Sequence, residues 1–126
     1  MKKIKGAYVD GFVLVVQKNK LQAYRRMAEK AGKIWRKYGA LDYKECVGDD
    51  LTPEMSLLPF PKMTKLKQGE TVVFSYIVFK SRKDRDDINA KVMKDPEMNG
   101  PKYKDKPMPF DMKRMAYGGF KVLVDA

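Results

Sequence analysis

The chain has 126 residues and a net charge of +11, with 44% of its residues apolar and 34% charged. This length and balance are typical of one globular domain, so we predict a single domain over residues 1–126. The sequence contains no histidine and one cysteine, Cys46, which excludes Ser-His and Cys-His nucleophilic pairs, histidine-ligated zinc, proximal-histidine haem and an internal disulfide.

The N-terminal stretch MKKIKGAYVDGFVLVV places basic residues ahead of an apolar run, which is the order found in signal peptides. Asp10 interrupts that run and no small-residue cleavage site follows it, so we expect no signal peptide. No segment approaches the roughly 18 apolar residues of a membrane span. A single cysteine agrees with a reducing compartment, and we predict a cytoplasmic protein with no membrane association, no cofactor and no metal.

The first predicted strand is YVDGFVLVV, residues 8–16, whose two faces are both largely apolar. Beyond it, apolar residues recur at spacings of three and four and stop at Gly39, which predicts a helix with one buried stripe. The segment LDYKECVGDD, residues 41–50, then predicts a polar strand at a sheet edge. The buried stripe of the helix consists of Leu21, Tyr24, Ala28, Ala31, Trp35 and Tyr38.

The middle of the chain begins with a proline-containing connection over residues 51–70, whose apolar residues we expect to pack on the domain. Residues 71–80, TVVFSYIVFK, predict a strand that is again apolar on both faces. A second helix is predicted over residues 81–95, with Ile88 and Val92 on its buried side. Proline at position 96 ends it.

The last part of the chain contains an irregular connection, predicted over residues 96–110 from its four prolines and one glycine. A final strand is predicted from about Met115 to Val124. Within it, Gly118 and Gly119 indicate a bulge or a close backbone contact.

The order of strand, helix, strand, strand, helix, strand predicts an α+β protein with a ferredoxin-like βαββαβ fold and a four-stranded antiparallel sheet. In that plan the first and last strands are neighbours. Two helices cover only one face of such a sheet, whereas the first and third strands are apolar on both faces. We therefore predict that a second copy covers the other face and forms a homodimeric α/β barrel.

A family resemblance is carried by stretches spread over nearly the whole chain: YVDGFVL, KAGKIWRKYGAL, LKQGETVVFSYIVFKSR, DDINAKVMKDP and PFDMKRMAYGGFKVLVD. Together they resemble the YbaA-like family, small bacterial proteins grouped as a domain of unknown function. The resemblance implies a ferredoxin-like fold and a dimeric α/β barrel. It implies no established activity, substrate or catalytic residue.

Asp10 is the first candidate for chemistry, because it is a carboxylate inside an apolar strand. If it faces a cavity between the sheet and its partner, burial would favour the protonated carboxyl and suit it to proton transfer. The structural alternative is that Asp10 pairs with Arg114 or Lys113, or caps nearby backbone, and stabilises the dimer. The sequence leaves both interpretations open.

A ligand pocket is the second candidate feature. Proteins resembling this barrel include cofactor-free monooxygenases and small-ring isomerases, whose pocket lies within the sheet and helices of each subunit, an analogy of fold alone. Aromatic residues could line such a pocket and accept a small apolar or aromatic ligand, or they could simply form core. The candidate pocket residues are Tyr8, Asp10, Phe12, Trp35, Tyr76, Arg114 and Tyr117.

Two further features have mainly structural interpretations. Lys44 lies two residues before Cys46 and could lower the pKa of that thiol, although an incidental cysteine is favoured. Asp42, Glu45 and the GDD of residues 48–50 form an acidic patch that could hold a divalent cation, although a solvated turn is favoured.

The positive charge is concentrated early, since residues 1–40 carry eleven basic and two acidic residues. A basic helical stripe there could track phosphates, but no aromatic residues interleave with it. This basic helical stripe consists of Arg26, Lys30, Lys33 and Lys37. We therefore favour a homodimer that binds a small organic molecule, with enzymatic action left open, over a non-catalytic RNA- or protein-binding module.

Overall fold

A computed structural model of the chain describes residues 7–99 and 107–126. In this part strands and helices alternate in an α+β arrangement, as the sequence predicts. The elements are β1 (Tyr8–Gln17), α1 (Leu21–Lys37), β2 (Asp42–Val47), α2 (Phe60–Met63), β3 (Glu70–Phe79), α3 (Arg82–Lys94), α4 (Pro96–Asn99) and β4 (Ala116–Lys121), with 3-10 turns at Lys18–Lys20 and Met112–Arg114.

The ends of α3 follow from local hydrogen bonds. Ser81 caps its start, because the serine hydroxyl accepts from the backbone N–H of Asp84 at 3.1 Å. Beyond its end, the side chain of Asp95 accepts from the backbone N–H of Glu97 at 2.7 Å, and Pro96 suits the first position of a helix. These two features start the short helix α4. The sequence predicts an irregular connection over residues 96–110, and that prediction is wrong for residues 96–99. Residues 100–106 of that connection lie outside the described residues.

The four strands form one open antiparallel sheet in the order β2-β3-β1-β4. β2 is an edge strand, and β4 pairs with β1 as the sequence predicts, with Gly11 opposite Gly118 and Phe12 opposite Tyr117. The pairing runs without an inserted residue from Tyr8 to Val13. Tandem glycines in β4 therefore do not mark a bulge.

The glycines instead allow close side-chain approach. A Cβ atom at Gly119 would lie 2.7 Å from Cε2 of Tyr8, and one at Gly11 would lie 3.3 Å from the ring of Phe120. Real Cβ atoms do not approach other atoms as closely as the first distance. The Tyr8 ring thus occupies the helix-covered side of β4, and the Phe120 ring crosses β1 on the other side.

The core lies between the sheet and the helices α1 and α3. One buried cluster is centred on Phe79 and Val92, both without solvent exposure, and includes Ile34 of α1. A second cluster joins Val16 and Val73 of the central strands to α1. Burying each of these apolar side chains contributes roughly 1.5–3 kcal/mol.

The opposite face of the sheet is only partly covered in the described residues: Val15 and Val72 on that face are buried, whereas two of its aromatic residues are exposed. Phe74 on β3 is 46% exposed and Phe120 on β4 is 60% exposed.

In the connection before β3, Leu57 and Leu58 are exposed at 94% and 60%, so the expected packing is wrong for these two residues. Phe60 of the same connection does lie beside Val72 and Phe74 of β3. One chain therefore presents an apolar sheet face and an apolar loop to its surroundings.

Candidate functional site

Asp10 lies in a closed polar cluster beneath α3. Its side chain is 1% exposed. Oδ1 accepts from Nη1 of Arg85 at 3.3 Å, while Oδ2 accepts from Nδ2 of Asn89 at 3.4 Å and from the hydroxyl of Tyr117 at 3.1 Å. The carboxylate therefore faces the helix layer, not the uncovered side of the sheet where a second copy is expected.

The partner of Asp10 is Arg85, not Arg114 or Lys113 as considered from the sequence. Arg114 donates Nη1 and Nη2 to the carboxylate of Glu70 at 2.8 and 2.6 Å, and its Nε donates to Asp111 at 2.7 Å. This side chain joins the start of β3 to the turn before β4. It stands apart from the Asp10 cluster.

The sequence does contain a pattern that indicates the α3 partners of Asp10. Arg85 and Asn89 are four residues apart in α3, and they flank Ile88, which the helical pattern correctly marks as buried. Side chains at this spacing share one stripe of the helix. Extending the buried stripe by one turn towards the N-terminus would have placed an arginine over the sheet.

Burial raises the pKa of the Asp10 carboxyl, and the charge of Arg85 only partly offsets that effect. The guanidinium also lies over the ring of Tyr8, 5.0 Å from its centroid. Its Nε is buried and lies 2.9 Å from Oδ1 of Asp86, but without the geometry of a hydrogen bond. The cluster is thus a buried ionic group in which three side chains hold the Asp10 carboxylate.

Other candidate pocket residues join this cluster. Phe12 stacks on Tyr117 with centroids 4.7 Å apart. Trp35 donates its Nε1 to Oδ1 of Asn89 at 2.9 Å, which connects α1 to the cluster. Tyr76, in contrast, lies on the uncovered face beside Phe74, with a centroid distance of 6.2 Å. The structure thus brings together Tyr8, Asp10, Phe12, Trp35 and Tyr117, and it separates Tyr76 and Arg114 from them.

A cleft opens at a different place, between α1 and the edge strand β2. The volume of the cleft is about 760 Å³. Asp10 does not line this cleft, and it does not line three smaller cavities among the described residues. The walls are mostly apolar and the mouth is charged. The lining residues are Leu21, Gln22, Tyr24, Arg25, Ala28, Glu29, Gly32, Lys33, Arg36, Tyr43, Glu45, Val47 and Val73.

Glu45 is held by two tyrosines in this cleft. The hydroxyl of Tyr24 donates to Oε1 at 2.6 Å, and the hydroxyl of Tyr43 donates to Oε2 at 2.5 Å. Burial, together with the adjacent carboxylate, raises the pKa of both phenols. Both hydroxyls therefore stay protonated at neutral pH and remain donors to Glu45.

Gly32 makes room for one of these tyrosines. A Cβ atom at this position of α1 would lie 2.7 Å from Cδ1 of Tyr43. The ring of Tyr43 also lies near Trp35, with a centroid distance of 6.2 Å. A glycine in a helix interior costs roughly 0.5–1 kcal/mol relative to alanine, and here it allows the tyrosine ring to lie directly under α1.

The cleft mouth carries Arg25, Glu29, Lys33 and Arg36 along the exposed side of α1. Arg36 also donates to the backbone oxygen of Leu41. With three cations and one carboxylate at the mouth, the entrance attracts anions.

The basic stripe predicted from the sequence overlaps this mouth at Lys33 only. Lys30 pairs with Glu97 at 2.9 Å, and Lys37 pairs with Asp95 at 3.3 Å. Tyr38 also donates to Asp95, at 2.6 Å. Half of the stripe is thus used to attach α1 to the segment around α4.

The acidic patch predicted around β2 is divided among other partners. Asp42 bonds to Lys44 and to the backbone N–H of Tyr43, while Glu45 is held by the tyrosines. Within residues 7–99 and 107–126, no group of three His, Cys, Asp or Glu side chains is placed to hold a metal ion. Cys46 is an exposed free thiol.

Sequence reasoning missed the cleft because its parts had other interpretations. The helical spacing places Tyr24 on a buried core stripe, and the sequence around Glu45 indicates an acidic, solvated turn. The available signal was the sharing of one face by Tyr43, Glu45 and Val47 on a strand next to an amphipathic helix. Only the packing of α1 against β2 shows that this face remains partly open.

These features define a small α+β protein with one open antiparallel sheet, one helix-covered face and a cleft beside its edge strand. Residues 7–112 match the family described as "Protein of unknown function (DUF1428)". The chain is 44% identical over 118 residues to "Uncharacterized protein YbaA" of Escherichia coli (strain K12), covering 94% of this chain and 97% of the relative. The identity and coverage are the same for the protein of that name in Shigella flexneri. The chain therefore belongs to the DUF1428 family, and the YbaA-like resemblance is confirmed.

One general property of the helices concerns membranes. Along residues 7–99 and 107–126, no helix combines the length and apolar character that crossing a bilayer requires.

Proposed function

We propose that this protein binds a small organic molecule in the cleft between α1 and β2, and that it acts as a homodimer of ferredoxin-like units. The observation that carries the proposal is the cleft itself, with a volume of about 760 Å³. Sites for small molecules usually measure roughly 300–1,000 Å³ and combine apolar walls with a few placed polar groups. Glu45 and its two tyrosines are such polar groups.

The ferredoxin-like assignment is supported by the strand order β2-β3-β1-β4. Each of the connections β1 to β2 and β3 to β4 passes through a long helix, α1 or α3, as in the split βαβ plan. The homodimer is supported by the uncovered face. Phe74 and Phe120 are large, apolar and exposed there, and a second copy packed face to face would bury them.

Binding, not catalysis by Asp10, is the function that the side chains support. Asp10 is enclosed by Arg85, Asn89 and Tyr117, so no substrate reaches it without displacing them. Monooxygenase or isomerase chemistry therefore rests on fold analogy alone. The alternative of an RNA-binding module is weakened because Lys30 and Lys37 of the basic stripe are in ion pairs.

A fluorescence titration with N-phenyl-1-naphthylamine, a neutral apolar probe, tests the binding site. Val47 lines the cleft and is 52% exposed, so Val47→Trp narrows the cleft without overfilling the core. We expect the substitution to weaken probe binding at least about tenfold. The matched change Val124→Trp, on the exposed C-terminal segment, is expected to leave probe binding unchanged. Equal binding by both variants would contradict the proposed site.

A further inference from the structure

We propose that the ligand of this cleft is an amphipathic organic acid, with an aromatic or otherwise apolar body, a hydrogen-bond donor that meets Glu45, and an anionic group at the mouth. The inference rests on the proposed function, because it names the class of molecule that the same cleft accepts. Three observations carry it: an incompletely occupied carboxylate inside the cleft, cations at the mouth, and apolar walls between them.

The carboxylate of Glu45 has capacity for a ligand. An ionised carboxylate offers about four lone-pair positions, and Tyr24 and Tyr43 occupy one position on each oxygen. Both phenols donate to Glu45 and so fix the orientation of its carboxylate. A ligand group that donates a proton, such as a hydroxyl or an amine, fits the remaining positions. A ligand acceptor at this point would face the carboxylate oxygens and be rejected.

The mouth selects for negative charge. Arg25 and Lys33 form no ion pair or side-chain hydrogen bond with any of the residues that the structure describes. Both line the cleft, and Arg36 lies close to Lys33 on the same helix. A carboxylate at the mouth would gain a charge-assisted hydrogen bond from a guanidinium or an ammonium. A simple amine would meet Glu45 favourably but would have to pass these cations.

The walls determine the body of the ligand. Leu21, Ala28, Val47 and Val73 present hydrocarbon, and the rings of Tyr24 and Tyr43 flank the carboxylate. A flat aromatic ring buries apolar surface against such walls and can stack on a tyrosine. A donor for Glu45, an anion for the mouth and an apolar body for the walls are together met by a hydroxylated or amino-substituted aromatic acid. A sugar, a nucleotide or a simple fatty acid meets them less well.

Four probes with one shared ring separate these requirements by isothermal titration or NMR titration. 4-Hydroxyphenylacetate has the donor and the anion, phenylacetate lacks the donor, methyl 4-hydroxyphenylacetate lacks the anion, and tyramine carries a cation in its place. We expect 4-hydroxyphenylacetate to bind at least about tenfold more tightly than each of the others, because each change removes one charge-assisted contact. Its affinity should also fall as salt is raised.

Two substitutions assign the preferences to residues. Glu45→Gln should reduce the preference for 4-hydroxyphenylacetate over phenylacetate to less than about threefold. Arg25→Gln should reduce the preference for the acid over its methyl ester. The matched control is Arg26→Gln, which removes the same charge from an adjacent exposed position outside the cleft lining and should leave both preferences intact. The comparison among probes on the unsubstituted protein stands even if a variant folds poorly.

The outcomes distinguish this inference from the proposed function. Tighter binding of tyramine, or equal binding of all four probes, would overturn the inference while leaving a small-molecule site in place. Failure of all four probes would also overturn it, and the proposed function would survive only if the neutral naphthylamine probe still binds in the cleft. Failure of that probe as well would overturn both.

Discussion

Tyr24 on α1 donates its hydroxyl to Oε1 of Glu45 on β2 at 2.6 Å, and this hydrogen bond ties the helix to the edge strand across the cleft. It is a charge-assisted contact between two residues separated by 21 positions in the chain. The same contact sets the position of the carboxylate that we propose as a ligand-binding group. The Tyr24–Glu45 pair should therefore contribute both to stability and to the binding that we propose.

Removing that hydroxyl should lower stability. Hydrogen bonds to charged groups contribute about 1.5–3 kcal/mol, so Tyr24→Phe should reduce the free energy of unfolding by about that amount, measured by urea denaturation. The control is Thr52→Val, which removes a hydroxyl from an exposed position in the connection before β3 and should change stability by less than about 0.5 kcal/mol. Equal losses in the two variants would contradict the role given to the Tyr24 contact.

Gly32→Ala should destabilise the protein, although alanine usually favours a helix interior by roughly 0.5–1 kcal/mol. The added Cβ would meet the ring of Tyr43 at 2.7 Å, so the ring must move away from its hydrogen bond with Glu45. We expect a loss of about 1–3 kcal/mol in thermal or urea unfolding and weaker binding of cleft ligands. An increase in stability would show that the ring does not lie where the structure has it.

Asp10→Asn should change how stability depends on pH. The folded protein raises the pKa of Asp10 from 3.8, so between that pH and its folded pKa the folded state holds more protons than the unfolded state. Stability contributed by this group is then lost as pH rises through that window. Relative to wild type, the Asn variant should therefore gain stability as pH rises from 3.8 through the folded pKa of Asp10. The measurement is urea denaturation of both proteins at several pH values, and a difference that moves in the opposite direction would refute the burial effect.

Phe74→Asp should shift the protein from dimer to monomer. Phe74 is exposed on the uncovered sheet face in one chain, and a carboxylate there would be buried unpaired in a face-to-face dimer. Sedimentation equilibrium should show the dimer dissociation constant rising about a hundredfold or more. Met93→Asp on the outer side of α3, where Met93 is 50% exposed, is the control and should leave association unchanged. A wild-type protein that is monomeric at micromolar concentration would contradict the proposed assembly.

Much of the fold could be predicted because its signals are local. The apolar runs of β1 and β3 and the 3.6-residue period of α1 are set by neighbours in sequence, and so is the Ser81 cap of α3. The α4 turn was missed because it depends on one side-chain hydrogen bond, from the backbone N–H of Glu97 to Asp95. Proline-rich composition alone indicates irregular structure there.

The candidate site was harder to predict because it depends on the packing of distant segments. Asp10 stands out in the sequence as a carboxylate inside an apolar strand, but its partner Arg85 lies 75 positions away. The face to which Asp10 points is set by the side of the sheet that α3 covers. Likewise, Tyr24 occupies a position in the apolar stripe of α1 that a core tyrosine would also occupy, so the sequence pattern does not distinguish the two. Its contact with Glu45 appears only when α1 and β2 are placed together.

The most direct test of the central claim is an NMR map of ligand binding on the unsubstituted protein. Amide ¹H–¹⁵N shifts would be followed during titration with the neutral naphthylamine probe and with 4-hydroxyphenylacetate. We predict saturable shifts concentrated on α1 from Leu21 to Arg36 and on β2 from Tyr43 to Val47, with little change around Asp10 and Arg85. Saturable shifts confined to the Asp10 cluster or to the uncovered sheet face, or no saturable shifts with either molecule, would contradict the claim that the cleft between α1 and β2 is the binding site.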